Sequence, residues 1–267
     1  MDEGARKLDY SRAPAFEVFF QLGKKTMRPG GLELTCRMLE ELRIDRKDDV
    51  VELAPGRGAT TRMVMKLCPH SYTAVERDQV SQESVQGILR DGGLGECVVG
   101  TAQATGLEEG CASVVFGEAM LTMQTETTKR KIAEEAIRLL APGGRYAIHE
   151  ICLKDNLSVE FQKEIEGALQ SALRVGARPL TLKEWQRVLE EVGFTVRASH
   201  EVPMLLLAPP RVVRDEGLWG ALRFAFRVMA SPAARRRILE IRRTLKRYSD
   251  SLGAVTLIAV KPAGLSA

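Results

Sequence analysis

Three places in this 267-residue sequence hold residues whose types and spacing can do chemistry. The first is Glu52-Leu53-Ala54-Pro55-Gly56-Arg57-Gly58, where small residues follow an apolar run. Without side chains a backbone can approach a ligand closely. If a helix follows, its first N–H groups lack internal partners and favour an anion or carboxylate. The second place is Glu76, 20 residues beyond Gly56, where an acidic side chain ending the next strand can accept hydrogen bonds from two ribose hydroxyls. Together they point to a nucleoside ligand. The third is His149-Glu150, with Glu118 at the end of an earlier apolar run. These groups can hold or move protons, and strand alternation sends residues 149 and 150 to opposite faces, so only one of them reaches a given site. A zinc-protease reading fails, because Ile151, Cys152 and Leu153 follow with no second histidine.

The nucleoside is not expected to be a nicotinamide dinucleotide. Such a turn needs a third glycine near position 61 so that the helix can pack close to the pyrophosphate, and Thr61 stands there. NAD-linked chemistry is therefore the lesser reading.

Positioning these residues requires strands that end at one edge of a sheet. Apolar runs at Val50–Leu53, Tyr72–Glu76, Glu96–Gly100, Ser113–Gly117 and Arg145–Cys152 have strand length and alternate with helix-length amphipathic stretches. That is the pattern of a parallel sheet wrapped by helices. Helical spacing marks Thr60–Leu67, Gln79–Leu89 and Thr127–Leu140, the last closed by Pro142-Gly143-Gly144. Two more helices are expected at Val159–Arg174 and Leu182–Val192, the latter capped by Thr181 with Glu184 three residues on. Phe194–Val202 and Ala254–Val260 read as late strands. Between them residues 206–250 carry two apolar helical faces, Leu218, Leu222, Ala225, Phe226 and Met229, then Ile238, Ile241, Leu245 and Tyr248. The expected organisation is an N-terminal helical arm over 1–44, a core over 45–205 plus 251–267, and a basic helical insertion over 206–250.

Composition narrows the class. Hydrophobic residues make up 45% and charged residues 28%, too apolar for a disordered chain. The five cysteines are odd in number, with no Cys-x-x-Cys pair, and read as reduced cytosolic thiols. The start is acidic and lacks the apolar run of a signal peptide. No apolar stretch is long enough to span a bilayer. Net charge is +4, but residues 206–250 hold 11 Lys/Arg against 4 Asp/Glu, so that segment carries +7 and the remainder −3. A cluster such as Arg235-Arg236-Arg237 suits anionic lipid, nucleic acid or an acidic substrate, or else a solvated face.

The joint order of Glu52-Leu53-Ala54-Pro55-Gly56-Arg57-Gly58, Ala74-Val75-Glu76, Leu140-Ala141-Pro142-Gly143-Gly144-Arg145 and Leu189-Glu190-Glu191-Val192-Gly193-Phe194 resembles the class I methyltransferases of the type 11 kind. The resemblance implies a Rossmann-like, doubly wound seven-stranded sheet with an antiparallel C-terminal hairpin, and S-adenosylmethionine at the carboxyl ends of the strands. It implies that Gly56 and Gly58 pass the methionine part and that Glu76 holds the ribose, with Glu52 and Ala54 also among the cofactor-binding residues. Thr101, Ala102 and Gln103 would lie by the adenine, and Gly117 would offer a backbone contact. Ala54 stands where the family has its first glycine, and Thr101 where it often has an aspartate. Phe16, Phe19 and Phe20 with Lys24, Lys25 and Arg28 read as a lid whose cations meet the methionine carboxylate or an anionic acceptor. His149, Glu150 and Glu118 are the catalytic candidates, although methyl transfer from a sulfonium can proceed by alignment alone. The acceptor is expected to be a small molecule. Gly117-Glu118-Ala119-Met120 lacks the Asn/Asp-Pro-Pro-aromatic run of base-modifying methyltransferases, which disfavours nucleic acid. A silent, nucleoside-binding regulator is the reading from another class.

Overall fold

The structure is a computed structural model that describes residues 8–24, 27–204 and 206–264; Lys25 lies outside them. The chain begins with helices α1 (Ala15–Gln21) and α2 (Gly31–Leu42). Then β1 (Asp49–Leu53), β2 (Ser71–Glu76), β3 (Glu96–Val99), β4 (Ala112–Glu118) and β5 (Leu140–Leu153) pair in parallel. The two-residue β6 (Leu180–Thr181) pairs with β5, and β7 (Thr195–Pro203) and β8 (Leu252–Val260) complete the sheet. The main path runs β3-β2-β1-β4-β5-β8-β7, with β8 antiparallel to both neighbours. Seven strands on this path and an antiparallel C-terminal pair are the arrangement expected from the sequence.

Strands at the centre of such a sheet are covered on both faces, so they read as continuous apolar runs. On one face lie α5 (Glu126–Leu139) and α7 (Leu182–Glu190), whose Ile132, Ala136, Leu139, Trp185 and Leu189 are buried. On the other lie α2 and α4 (Gln79–Gly92), which bury Met38, Leu42, Val85 and Leu89. Thr181 caps α7 in the expected box with Glu184. The Pro142-Gly143-Gly144 turn appears as an irregularity in the pairing of β4 with β5, after which the ladder runs regularly from Arg145.

Two elements differ from expectation. The helix after the glycine turn, α3, spans only Thr61–Val64 before tightening into a 3-10 turn at Met65–Leu67. One turn of helix sums few peptide dipoles, so ligand binding there depends on individual groups. The second difference is in α8 (Pro209–Ala230), which is kinked where Gly217 adopts a φ of 73°. The stripe through Leu218, Leu222, Ala225, Phe226 and Met229 is exposed, and the helix buries Val212 and Phe224 instead. In α9 (Pro232–Arg247) Ile238, Ile241 and Leu245 are buried as the spacing predicts. No helix among the described residues is long and apolar enough to cross a membrane.

A third apolar cluster joins α1, α6 (Val159–Leu173), α8 and α9 around Leu153, the last residue of β5, so it sits at the carboxyl edge of the sheet. Phe19 of α1 packs on Phe224 of α8 with ring centroids 6.2 Å apart. Beside it Lys24 Nζ donates to Glu216 Oε1 at 3.3 Å, and both side chains are almost wholly buried. Asp215 accepts from the Leu32 N–H at 2.9 Å. The arm before α2 is therefore tied to α8 by a buried ion pair.

Removing one partner of a buried pair leaves the other charge poorly compensated and costs roughly 3–5 kcal/mol. Lys24→Ala is expected to lower the denaturant midpoint and to expose the arm to limited proteolysis. Unchanged values of both would show that the pair does not hold the arm.

Candidate active site

Strand order reverses between β1 and β4, which opens a crevice outside their carboxyl ends. Two alanines frame it in the left-handed region, Ala54 with φ 53° just after β1 and Ala119 with φ 54° just after β4. Each is held there by a hydrogen bond across to a neighbouring strand: the Ala54 N–H donates to the Val75 carbonyl at 2.9 Å, and the Ala119 N–H to the His149 carbonyl at 2.7 Å. A Cβ in this conformation costs roughly 1–2 kcal/mol, so each turn stores strain that the sheet edge supports. Alanine at position 54 thus keeps the left-handed geometry that a glycine would adopt freely.

Gly56 and Gly58 also have positive φ, 57° and 72°. A Cβ on Gly56 would meet nothing within 4 Å, whereas one on Gly58 would sit 2.3 Å from Ile88 Cδ1 of α4. Gly58 is small because α4 packs against it, and the Gly56 backbone faces open space. Glu76 reaches across from the end of β2. Its Oε2 accepts from the Gly56 N–H at 3.1 Å, and its Oε1 accepts from the N–H groups of Arg77 and Asp78 at 2.8 and 3.0 Å. The structure thus brings the glycine turn and the acid 20 residues later into contact. Thr101 and Ala104 close a tight turn past β3, with Ala102 half-buried and Gln103 exposed. Glu52 lies deeper, accepting from Thr61 Oγ1 at 2.5 Å and from the Tyr72 hydroxyl. Burial pushes its carboxyl up to about 7 despite these donors.

At the end of β4 Glu118 collects a set of donors from distant parts of the chain. Thr35 Oγ1 donates to Oε1 at 2.5 Å, and Thr60 Oγ1 donates to Oε2. His149 Nδ1 lies 2.7 Å from Oε1, and Arg28 Nε lies 3.9 Å from Oε2. Arg28 also donates to Thr60 Oγ1 at 2.9 Å. Burial alone would raise the Glu118 carboxyl, but Arg28, His149 and Thr35 outweigh it and hold it at about 2. The other ring nitrogen, His149 Nε2, lies 2.5 Å from the Pro29 carbonyl, which can only accept. Both nitrogens of this fully buried ring therefore face acceptor oxygens.

Glu150, on the opposite face of β5, is equally buried. Its carboxylate accepts from the N–H groups of Met120, Leu121 and Thr122 and from Thr122 Oγ1, at 2.7–2.9 Å. These bonds fasten the segment that follows Ala119. On the same side Lys129 donates to the Arg178 carbonyl at 2.5 Å and lies over the Trp185 ring, and burial lowers its ammonium to about 8.

Of the lid residues, Phe20 lies under the Arg57 guanidinium, 5.3 Å from ring centroid to Cζ, which sets α1 over the glycine turn. Phe19 is in the apolar cluster, Lys24 pairs with Glu216, and Arg28 is the member that reaches the crevice. Thr35, Thr60 and the Pro29 carbonyl were missed from sequence. Hydroxyls brought together from 58 and 83 positions away leave no local pattern.

Residues 51–148 match the model of a family of methyltransferase domains. Over 243 residues, 90% of this chain and 94% of the relative, the sequence is 29% identical to an uncharacterized protein of Haemophilus influenzae. A candidate sarcosine dimethylglycine methyltransferase from Galdieria sulphuraria superposes with a TM-score of 0.70 at 15% identity, over 93% of this chain and 98% of that one. Phospholethanolamine N-methyltransferase 2 of Haemonchus contortus, solved with phosphomonomethylethanolamine and S-adenosylhomocysteine, gives 0.66 at 16% identity, over 93% of this chain and 57% of that one. The shared feature is the fold, a Rossmann-like mixed sheet with antiparallel C-terminal strands.

The Glu52 carboxyl binds its proton more tightly in the folded chain than at its ordinary value of 4.5. Its contribution to stability is therefore present below pH 4.5 and is lost as pH rises through about 7. In Glu52→Gln that fall should vanish from unfolding midpoints measured across this interval; an equal fall in both proteins would assign it elsewhere. Glu150→Ala strands three buried N–H groups and should cost roughly 3 kcal/mol or more at neutral pH, and a loss under 1 kcal/mol would contradict its role in holding the segment after β4.

Proposed function

We propose that the protein, whose residues 51–148 match the model of a methyltransferase domain, transfers the methyl group of S-adenosylmethionine to a small molecule whose attacking atom needs no base from the enzyme. The observation that carries the reading is the contact of Glu76 with the Gly56 N–H across the glycine turn. A carboxylate held there by three N–H groups suits a ribose diol, whose hydroxyls can take the place of the Gly56 donor. The open space beside Gly56 suits the methionine chain. Thr61 gives its hydroxyl to Glu52 at 2.5 Å, where a dinucleotide turn would have a glycine. The turn from Thr101 to Ala104 borders the adenine in this reading, and Gly117 lies under the transfer point.

S-adenosylmethionine supplies a methyl on a sulfonium, which leaves as a neutral sulfide on in-line attack. The chain has to align the two reactants and exclude water. Glu118, kept ionised at the end of β4, presents negative charge to a donor that bears a sulfonium and an ammonium. Its carboxyl is too acidic to take a proton from an acceptor near neutral pH. His149 has both nitrogens engaged by oxygens, so it positions Glu118 and the Pro29 segment. Arg28, beside Glu118, supplies a cation at the edge of the crevice, and Phe20 under Arg57 sets α1 beside the turn, where a bound cofactor would be covered by it. An amine, a thiolate or an electron-rich carbon satisfies the demand for an acceptor that needs no deprotonation first.

The test is incubation with methyl-labelled S-adenosylmethionine and a small-metabolite extract, with the expectation of a labelled small molecule. Tight cofactor binding with no labelled product would favour a binding-only regulator. Glu76→Ala removes charge-assisted hydrogen bonds worth roughly 1.5–3 kcal/mol each and should weaken cofactor affinity by at least about ten-fold in calorimetry. An unchanged affinity would refute the ribose assignment.

A further inference from the structure

The exposed stripe of α8 is a surface that the reaction leaves unused. Beyond the Gly217 kink, Leu218, Leu222, Phe226 and Met229 follow at intervals of four, four and three residues, and Trp219 lies beside them. Such spacing makes one helix face. They are 61%, 52%, 74%, 65% and 83% exposed, so no described part of the chain covers them. The inward face of the same helix is fixed by Phe224, which packs on Phe19. Arg223 and Arg227 fall by helical spacing along the margin between the two faces, and α9 adds the exposed Arg235, Arg236, Arg242 and Arg243.

We propose that this face docks on an anionic lipid surface, with the apolar side chains entering the headgroup boundary and the arginines meeting lipid phosphates. A helix with large apolar side chains on one outward stripe and cationic groups along its margin has the form of an interfacial helix. Charge complementarity selects the occupant. The segment 206–250 carries a formal +7; Arg211 and Arg214 are met by Glu33 and Arg247 by Glu164, so the charge offered outward is that of the exposed arginines named above. A second copy docked face to face would bring two cationic margins of the same patch together, whereas anionic lipid neutralises them. The inference does not depend on the reaction proposed above.

The full-length protein is mixed with vesicles of phosphatidylcholine, with or without phosphatidylglycerol, and sedimented. Trp219 is the reporter, because the other tryptophan, Trp185, is fully buried with its N–H bonded to the Ile151 carbonyl. The expected result is co-sedimentation with phosphatidylglycerol vesicles and a blue shift of tryptophan emission. Phe226→Glu, at an exposed position, should weaken this by about ten-fold or more without changing the unfolding temperature. Three results would overturn the proposal: no binding by the wild type, binding that Phe226→Glu leaves intact, or a concentration-dependent dimer that Phe226→Glu abolishes while vesicles have no effect.

Discussion

A carboxylate kept ionised away from water must be surrounded by donors, and the donors around Glu118 come from four separate parts of the chain. Arg28 comes from the arm, Thr35 from α2, Thr60 from the end of the glycine turn and His149 from β5. Losing any of these contacts leaves a buried charge poorly compensated, so the polar cluster adds to the apolar packing of α2 on the sheet in holding these elements together. The geometry of the crevice follows from that requirement. Because Thr60 is two residues past Gly58, the turn is anchored at its far end, while Glu76 holds it at Gly56.

The arm is secured at both ends by different physics. Arg28 and the Pro29 carbonyl fasten it to the sheet edge through polar contacts, and Phe19, Phe224 and the Lys24–Glu216 pair fasten it to α8. The arm thus links the edge of the crevice to α8. The same helix carries the exposed apolar stripe. The inner face of α8 therefore meets the arm, and its outer face is exposed.

What was legible in the sequence was what depends on local spacing. The strand–turn–helix at Ala54–Gly58, the acid at Glu76, the cap at Thr181 and the buried face of α9 are all set by neighbours within a turn or one strand–helix unit. Side-chain environment was less legible. Glu52, Glu118 and Glu150 all lie in the carboxyl-terminal parts of their strands, yet burial raises the first and third while Arg28, His149 and Thr35 hold the second low. That difference depends on Arg28 and His149, which are 90 and 31 positions from Glu118 in sequence. The outward direction of the Phe226 stripe was equally hidden, because periodicity reports an apolar face without saying what covers it.

The central claim is that S-adenosylmethionine or its product lies between the glycine turn and Glu76, under the arm. Amide hydrogen exchange with and without S-adenosylhomocysteine tests it most directly. The account predicts added protection at residues 54–60, at 101–104 and in α1, with NAD at the same concentration producing none. Protection by NAD, or exchange at 54–60 that S-adenosylhomocysteine leaves unchanged, would contradict it.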